Sequence, residues 1–549
     1  MGFRLRFLSV VLVCFSLSSR GAWCAGNGPD CTVFMTSYMQ RGLPSTMPSE
    51  GVVRDTLSVF ASPGEYEPCT FSIRANEPMR GVSVEVSDLK SKAGVIPKKS
   101  VVVRQVDTSV IMEHVKECYL PLLTKLDIPA DTTQRFWLTV QVPQNAKPGN
   151  YTGAVTIKAG GRAFKTLKFR LDVLPIKLEQ PKGISYFSYF GMHFSPLFTR
   201  TVPWQRKAFL DMKEHGMNSA TLYMWAGKNP DGSINVATGR NPQALPGVTL
   251  VREMMGTGLV GKEGKLIWIG SAESGDVGIY EGVYKEAKKR GWPEAFLYVV
   301  DEPVSPEQQV KVREVMAKVN DLRTRHPELK IRTTTAINAV AIDQIGEQYD
   351  IWICYGSDVC QGMVNKAKRK GKELWYYDCS LAPVDAQTSR YTYGFWAWKT
   401  GLKGVSNWTY ADVAKAYGVN SWDPANKADV GVLSFTWPTV REPIPSIGWE
   451  AIREGVDDYR YLTTLKTAID RAKRSGKTKS AARAEKVLDG AMAMIHMDNN
   501  QKSYIAAANM KGIYPFIYDR PGPEPELNPS GYDRLRRGIA QEIIRLNAK

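Results

Sequence analysis

The sequence predicts a multidomain α/β plus all-β chain: a (β/α)8 TIM barrel, preceded by an antiparallel β-sandwich and followed by a helical C-terminal region. Three observations carry that prediction. Short β-branched and aromatic segments, broken by Gly, Pro, Asn and Asp, fill the first third. Eight strand-like runs alternate with helical stretches through the middle, and from Ile447 onward the apolar spacing is helical. At 549 residues, 43% of them hydrophobic and 10% aromatic, the chain exceeds what one core organises and carries apolar material for several.

The first residues, MGFRLRFLSVVLVCFSLSSRGAWCAG, set Arg4 and Arg6 ahead of an apolar run at 7–17, with small residues after it. The run is too short to span a bilayer. Its order of charge, apolar stretch and small residues is that of a secretory signal cleaved near Cys24 or Ala25. No later apolar run reaches transmembrane length. The expectation is a secreted or periplasmic protein that loses residues 1–25 and has no membrane attachment afterwards.

Residues 26–175 read as the sandwich, because TLSVFASPGEYEPCTFSIRAN, GVSVEVSDL, RFWLTVQVP, GNYTGAVTIKAGG and KTLKFRLDVLP are strand-forming segments separated by turn residues. LPIKLEQPKG, 174–183, reads as a linker. Residues 180–445 then offer GISYFSYF, SATLYMW, KLIWIG, AFLYVVDEP, KIRTTTAI, DIWICYG, ELWYYDC and GVSNWTY as strands. Helical stretches such as YEGVYKEAKKRGW and VKVREVMAKVNDLRTRH lie between them. Eight strands in this rhythm are what a (β/α)8 barrel requires, whereas a doubly wound sheet usually offers fewer parallel strands. Residues 446–549 form the helical region, from IGWEAIREGVDDYRYLTTLKTAIDRAKRSG through AARAEKVLDGAMAMI to a last helix from Tyr532.

The formal charge is +17, lowered by three when Arg4, Arg6 and Arg20 leave with the signal. A basic exported protein would favour anionic glycans. The cations are scattered, however, with only short clusters such as KAKRKGK at 366–372, and a solvated helical face is the simpler reading. No zinc-finger spacing, ribonucleoprotein motif or long basic stripe points to nucleic acid. Cys31, Cys69, Cys118, Cys354, Cys360 and Cys379 follow the signal. Cys354 with Cys360 or Cys379 is a candidate bridge in an oxidising compartment, and isolated buried thiols are an equal alternative. With no CxxC spacing, no GxGxxG after a first strand and no Walker motif, neither metal nor cofactor is expected.

The chemistry centres on FLYVVDEPVSPEQQ, 296–309, where Asp301 and Glu302 stand together between an apolar strand and a proline. Adjacent like charges each raise the cost of ionising the other, so a strand avoids them without a reason. In the strand count this is the C-terminal end of barrel strand four, the rim at which barrel enzymes place their chemistry. Successive side chains of a regular strand face opposite ways, so both acids reach the mouth only where the strand ends. Pro303 is expected to hold Glu302 extended and stop the ladder. Ser305 reads as the cap of the next helix, which leaves the upstream pair unexplained by capping.

Neighbouring carboxyls suit neither ordinary glycosidase geometry, since retaining enzymes need acid and nucleophile on opposite sides of the sugar and inverting ones need room for water. A 2-acetamido sugar brings its own nucleophile, its carbonyl oxygen, which closes onto the anomeric carbon as an oxazolinium ion. Asp301 would orient the amide N–H and Glu302 would protonate the leaving oxygen, the Asp charge helping to keep Glu302 protonated.

AFLYVVDEPV, the sandwich segments GEYEPCTFSI and FWLTVQVPQNAKPGNYTGAVTI, and the late EPIPSIGWEAIREGVDDYRYL together resemble glycoside hydrolase family 123 and its uncharacterised relatives. The resemblance spans nearly all of the mature chain. It implies a sandwich, a (β/α)8 barrel and a C-terminal region, and an exo-acting β-N-acetylgalactosaminidase with substrate-assisted retention, whose adjacent Asp–Glu pair matches Asp301 and Glu302. EGVDDYRYL is read as structural, its acids and tyrosines tying the last helices to the barrel.

Further rim residues follow from the strand count: Tyr189 and His193 after strand one, Trp225 ending strand two, Tyr355 after strand six, Asp378 after strand seven, and Asn407 with Trp408 ending strand eight. Aromatic rings at a mouth stack on sugar faces, and a Tyr hydroxyl can bond the acetamido oxygen. Tyr189, Trp225, Tyr355, Asp378 and Trp408 are the candidate substrate contacts, with Tyr355 and Trp408 preferred; His193 is the weaker one, a structural donor. NWT at Asn407 fits a glycosylation sequon, but a rim position favours an internal role. Two alternatives stand beside this reading. One is a hydrolase of another glycan in which an acid such as Asp378 supplies the nucleophile, and the other is a non-catalytic exported glycan-binding protein.

Overall fold

The computed structural model describes residues 29–548 except 110, 113–114, 117–118, 192–196, 237–244, 271–273, 379–385, 412–433 and 500–526. The expected signal at 1–25, Cys118, His193 and Cys379 lie outside the described residues.

Two N-terminal sheets share one core. The first orders Cys31–Phe34, Tyr66–Ala75, Thr132–Gln141 and Val101–Gln105, every pair antiparallel. The second orders Leu126–Ile128, Met79–Val86, Gly149–Ala159, Arg162–Val173 and Thr56–Ala61. Its last pair is parallel, a departure from the all-antiparallel expectation. Thr56–Ala61 and Tyr66–Ala75 are consecutive but belong to different sheets, so the chain crosses between layers there, and no hairpin sets the direction of the edge strand. Alternate residues of both sheets, among them Phe71, Ile73, Phe136, Val155, Leu167 and Phe169, fill the space between them. Trp137 points the other way, into the core shared with the barrel.

Residues 174–183, read as a linker, carry no regular element, yet Leu174, Ile176 and Leu178 are buried in that shared core. The connection is part of the packing.

Barrel strands one to eight are Ser185–Ser188, Ala220–Met224, Lys265–Gly270, Glu294–Tyr298, Arg332–Ile337, Ile351–Tyr355, Glu373–Asp378 and Gly404–Asn407. They pair in parallel from strand two through strand eight to strand one. Between strands one and two the ladder is open, and the Asn218 side chain closes it by accepting from Tyr186 N–H at 2.8 Å while Asn218 and Ser219 N–H donate to Tyr186 O. Inward residues Phe187, Ile267, Ile269, Phe296, Tyr298, Ile351, Ile353, Trp375 and Tyr377 fill the interior. Gly404 is where that filling leaves no room for a side chain, since a Cβ there would sit 2.2 Å from the Trp375 ring.

Helices follow the strands, the largest being Val202–Glu214, Val277–Arg290 and Pro306–Arg325. KAKRKGK covers the end of the helix Gln361–Arg369, where Lys366 pairs with Asp343 and Lys370 with Glu347, as a solvated face does. Ile447–Arg474 follows strand eight and packs on the helix Ala386–Tyr391 and the turns after it. Gly394 and Gly455 bring the two backbones together there, a Cβ on Gly455 falling 2.6 Å from Arg390 O.

EGVDDYRYL lies on this long helix and ties three parts of the chain together. Asp458 takes two bonds from Arg390, at 2.7 and 3.1 Å, and one from Arg536 at 2.6 Å. Arg536, from the last helix Pro529–Asn547, also binds Glu454 Oε2 at 2.7 Å and approaches Glu67 of the N-terminal sheets at 3.5 Å. Tyr461 donates to Glu65 at 2.8 Å and Arg390 to Tyr38 at 2.6 Å. The motif therefore joins the last helices to the barrel, as expected, and to the N-terminal sheets as well. A buried network of this kind adds little net stability when intact, but removing one partner costs about 3–5 kcal/mol because it strands a charge.

Candidate active site

The ladder of strand four ends with Val299 N–H donating to Thr334 O at 3.0 Å, and the chain then turns sharply. Val300 has φ +53° and Glu302 φ +42°, both in the left-handed region that a β-branched residue rarely adopts. The extended Glu302 expected from Pro303 is therefore not found. The Pro303 ring forbids the ordinary helical alternative at Glu302, and Glu302 O instead accepts from Val304 N–H at 2.7 Å, a three-residue turn about the proline.

Such strain, of order 1–3 kcal/mol per residue, persists only where surroundings enforce it. Thr335 Oγ1 donates to Val300 O at 2.6 Å, Tyr349 to Val299 O at 2.8 Å, and Gln308 Nε2 to Asp301 O at 3.4 Å. Gln308 also completes the capping box with Ser305, so the start of the helix Pro306–Arg325 is anchored to the turn.

This turn resolves the alternation problem, delivering Asp301 and Glu302 to the same mouth. Tyr298 donates to Asp301 Oδ1 at 2.5 Å. Asp301 keeps contact with solvent, yet the wall around it is close enough that desolvation raises its carboxyl above the ordinary range, against the lowering effect of the Tyr298 bond. Glu302 is raised as well, by desolvation first and then by the Asp301 charge, with the nearby Tyr355 hydroxyl opposing both. Both acids are thus biased toward protonation by desolvation, Glu302 also by its neighbour's charge, while Asp301 holds a fixed donor.

The aromatic candidates divide. Tyr189 and Tyr377 meet edge to face at 5.2 Å, Trp408 lies 5.8 Å from Tyr189, and Tyr355 lies 5.9 Å from Tyr377, so these rings form one floor above the barrel core. Tyr189 is buried in that floor, while Tyr355 and Trp408 are half-buried at its upper edge. Trp225 is 37% exposed just past strand two, its ring beside Gly270 at the end of strand three.

Asp378 is placed differently, being 3% exposed and bonded by Tyr376 at 2.6 Å on the helix-facing side of strand seven, where Tyr376 itself packs. Asn407 is fully buried and accepts from Tyr393 at 2.7 Å, an internal position and not that of a decorated sequon. Tyr298 and Tyr377 were not singled out from sequence. The signal for Tyr298 was its place three residues before Asp301, at an inward strand position.

Cys31, Cys69, Cys354 and Cys360 are free thiols, so the Cys354–Cys360 bridge does not form; Cys360 instead caps its helix, accepting from Met363 N–H at 3.4 Å. Among the described residues no group of three or more His, Cys, Asp or Glu could hold a metal ion, and no helix is long and apolar enough to cross a membrane.

Residues 52–159 match the glycoside hydrolase 123 N-terminal domain, and residues 281–465 match the glycoside hydrolase 123 catalytic domain. Among solved structures, a family 123 glycoside hydrolase from Clostridium perfringens, described for its hydrolysis of glycolipid glycans, aligns with 94% of this chain and 98% of its own. The TM-score is 0.63 at 13% identity. A family 39 glycoside hydrolase from the gut symbiont Bacteroides cellulosilyticus aligns with 65% of this chain and 76% of its own, at a TM-score of 0.34 and 11% identity. No curated protein sequence matches the chain. The first likeness extends the shared fold over almost the whole length of both proteins.

Proposed function

Since the chain belongs to glycoside hydrolase family 123, and is thereby a glycosidase, we propose that it releases β-linked N-acetylhexosamine, of galacto configuration, by substrate-assisted retaining catalysis. The observation that carries this reading is the meeting of two adjacent acids at one turn: desolvation raises both and a tyrosine hydroxyl opposes the rise in each, Tyr298 at Asp301 and Tyr355 at Glu302, but only Glu302 is raised further by its neighbour's charge.

The acetamido carbonyl oxygen attacks the anomeric carbon as the bond from that carbon to the leaving oxygen breaks. Asp301 accepts from the amide N–H, and the Glu302 proton passes to the leaving oxygen. Water then adds to the anomeric carbon, gives a proton to the Glu302 carboxylate, and reopens the oxazolinium ring. Tyr355 and Trp408 would line the sugar, with Tyr189 beneath them and Trp225 at the outer edge; the enclosed Asp378 would act only indirectly. Its enclosure disfavours the alternative that makes it the nucleophile.

On the character of the N-terminal segment we place the protein outside the cytoplasm, secreted or periplasmic. The Clostridium perfringens enzyme hydrolyses glycolipid glycans, which makes such glycans the first natural substrates to assay.

The test is turnover of aryl 2-acetamido-β-galactoside, 2-acetamido-β-glucoside and plain β-galactoside by the protein and by Asp301→Asn and Glu302→Gln. Turnover confined to acetamido sugars and lowered about 10²–10⁴-fold in each variant is expected. Hydrolysis of the plain galactoside, or activity surviving both substitutions, would sink the mechanism.

A further inference from the structure

We propose that Tyr298 is a positioning residue for Asp301: its hydroxyl oxygen is occupied by a backbone donor, so its one proton must go to Oδ1, leaving Oδ2 to receive the substrate amide. The proposal rests on the reading of Asp301 as the acceptor of the acetamido N–H.

The geometry is asymmetric. Ala336 N–H, which can only donate, reaches the Tyr298 hydroxyl at 3.0 Å, and the same hydroxyl lies 2.5 Å from Asp301 Oδ1. A phenol that accepts from a backbone amide is left to donate its own hydrogen. Protonation of Asp301 at Oδ1 would set two donors against each other, so the contact demands an unprotonated Oδ1, and the bond favours the ionised carboxylate. Oδ2 takes no hydrogen bond among the described residues. One oxygen is fixed and the other presented.

Tyr298 is suited to this work because it is 1% exposed, with its ring locked in the barrel core, and desolvation keeps its phenol protonated far above its ordinary value. The strained turn supplies the other half of the alignment. Thr335 holds Val300 O, and Gln308 holds Asp301 O, so the carboxylate is gripped on the backbone side as well. The titratable neighbours are few: Tyr189 of strand one acts on Tyr298, and Tyr355 of strand six acts on Glu302. Among the described residues no lysine, arginine or histidine bears on Asp301 or Glu302. With no such cation, the Tyr298 bond is what opposes the desolvation that the surrounding wall imposes on this solvent-reaching carboxyl.

The experiment is the pH profile of kcat and kcat/KM on aryl 2-acetamido-β-galactoside for the wild-type protein, Tyr298→Phe and Asp301→Asn, with thermal melts to establish folding. Loss of a hydrogen bond to a charged group predicts a kcat about 10–100-fold lower, with KM changed by no more than about threefold. It also predicts an acid limb moved to higher pH, because Asp301 is left to burial alone. Tyr298→3-fluorotyrosine, which keeps ring and hydroxyl but donates more strongly, should move that limb to lower pH, and it carries the test if the Phe variant does not fold. An acid limb unmoved in either variant, with activity reduced equally at every pH, overturns the proposal and leaves Tyr298 a packing residue. If Asp301→Asn is inactive while the limb stays fixed, only the role of the tyrosine fails; if Asp301→Asn remains active on acetamido sugars, the role of Asp301 fails and this one with it.

Discussion

The Tyr355 hydroxyl, at the end of strand six, acts on the Glu302 carboxyl beyond the end of strand four, across the intervening strand five, and opposes the rise that burial and Asp301 impose on it. That influence favours the ionised form, so it holds down the pH at which a general acid at this position stops working.

Removing that hydroxyl gives a prediction with a definite sign. In Tyr355→Phe the Glu302 carboxyl loses a lowering influence and titrates at higher pH, so the alkaline limb of kcat/KM moves up. The turnover itself falls by roughly tenfold as the acid loses its orientation. A pH–rate profile on an aryl acetamido sugar checks this, and an unmoved alkaline limb would show that Glu302 is not the acid that sets it.

Asp378 separates the proposed mechanism from its rival. Asp378→Asn replaces the charged acceptor of the Tyr376 hydroxyl by a neutral amide oxygen in a buried setting and should lower stability by about 1–2 kcal/mol, seen as a reduced Tm. Turnover by the folded fraction should stay within roughly tenfold of wild type, far from the loss a missing nucleophile causes. Complete inactivity in a fully folded Asp378→Asn protein would restore Asp378 as nucleophile.

The buried network predicts how stability depends on pH. Glu65 and Glu454 are pushed up to about 7, chiefly by desolvation, with the Asp457 charge adding to it. A carboxyl raised in the folded state takes up protons on folding, so its contribution is fully present below the unfolded value of about 4.3 and is lost as pH rises through about 7. Wild-type Tm should therefore fall between pH 5 and 8. Glu65→Gln, an uncharged isostere, should flatten that fall, whereas Arg536→Met should cost about 3–5 kcal/mol by stranding Glu454 and Asp458. Thermal melts across the range decide it, and a Glu65→Gln slope equal to wild type would count against the assignment.

The eight barrel strands were legible because inward and outward faces of a parallel strand are both apolar, and runs such as KLIWIG and ELWYYDC advertise themselves between helices. The sandwich was legible in its long strands but not in Cys31–Phe34 or Val101–Gln105, edge strands at either end of one sheet whose short runs carry little pattern. The parallel edge pair was hidden for a different reason, since strand direction depends on which sheet the chain crosses into. The disulfide question was open in sequence because spacing says nothing of how side chains face, and Cys360 turned out to cap a helix.

At the site the sequence by itself determined that two acids share the end of strand four, because strand count and the position of Pro303 are local facts. Only the tertiary structure decided what surrounds each acid. The left-handed Val300 and Glu302, held by Thr335 and Gln308, place both carboxyls at one mouth. Tyr298 and Tyr355, from different strands, reach one each, while Asp378, equally prominent in sequence, is turned to the helices by the alternation of its strand. A carboxyl's role follows from its burial and its donors, and those are supplied by residues distant in the chain.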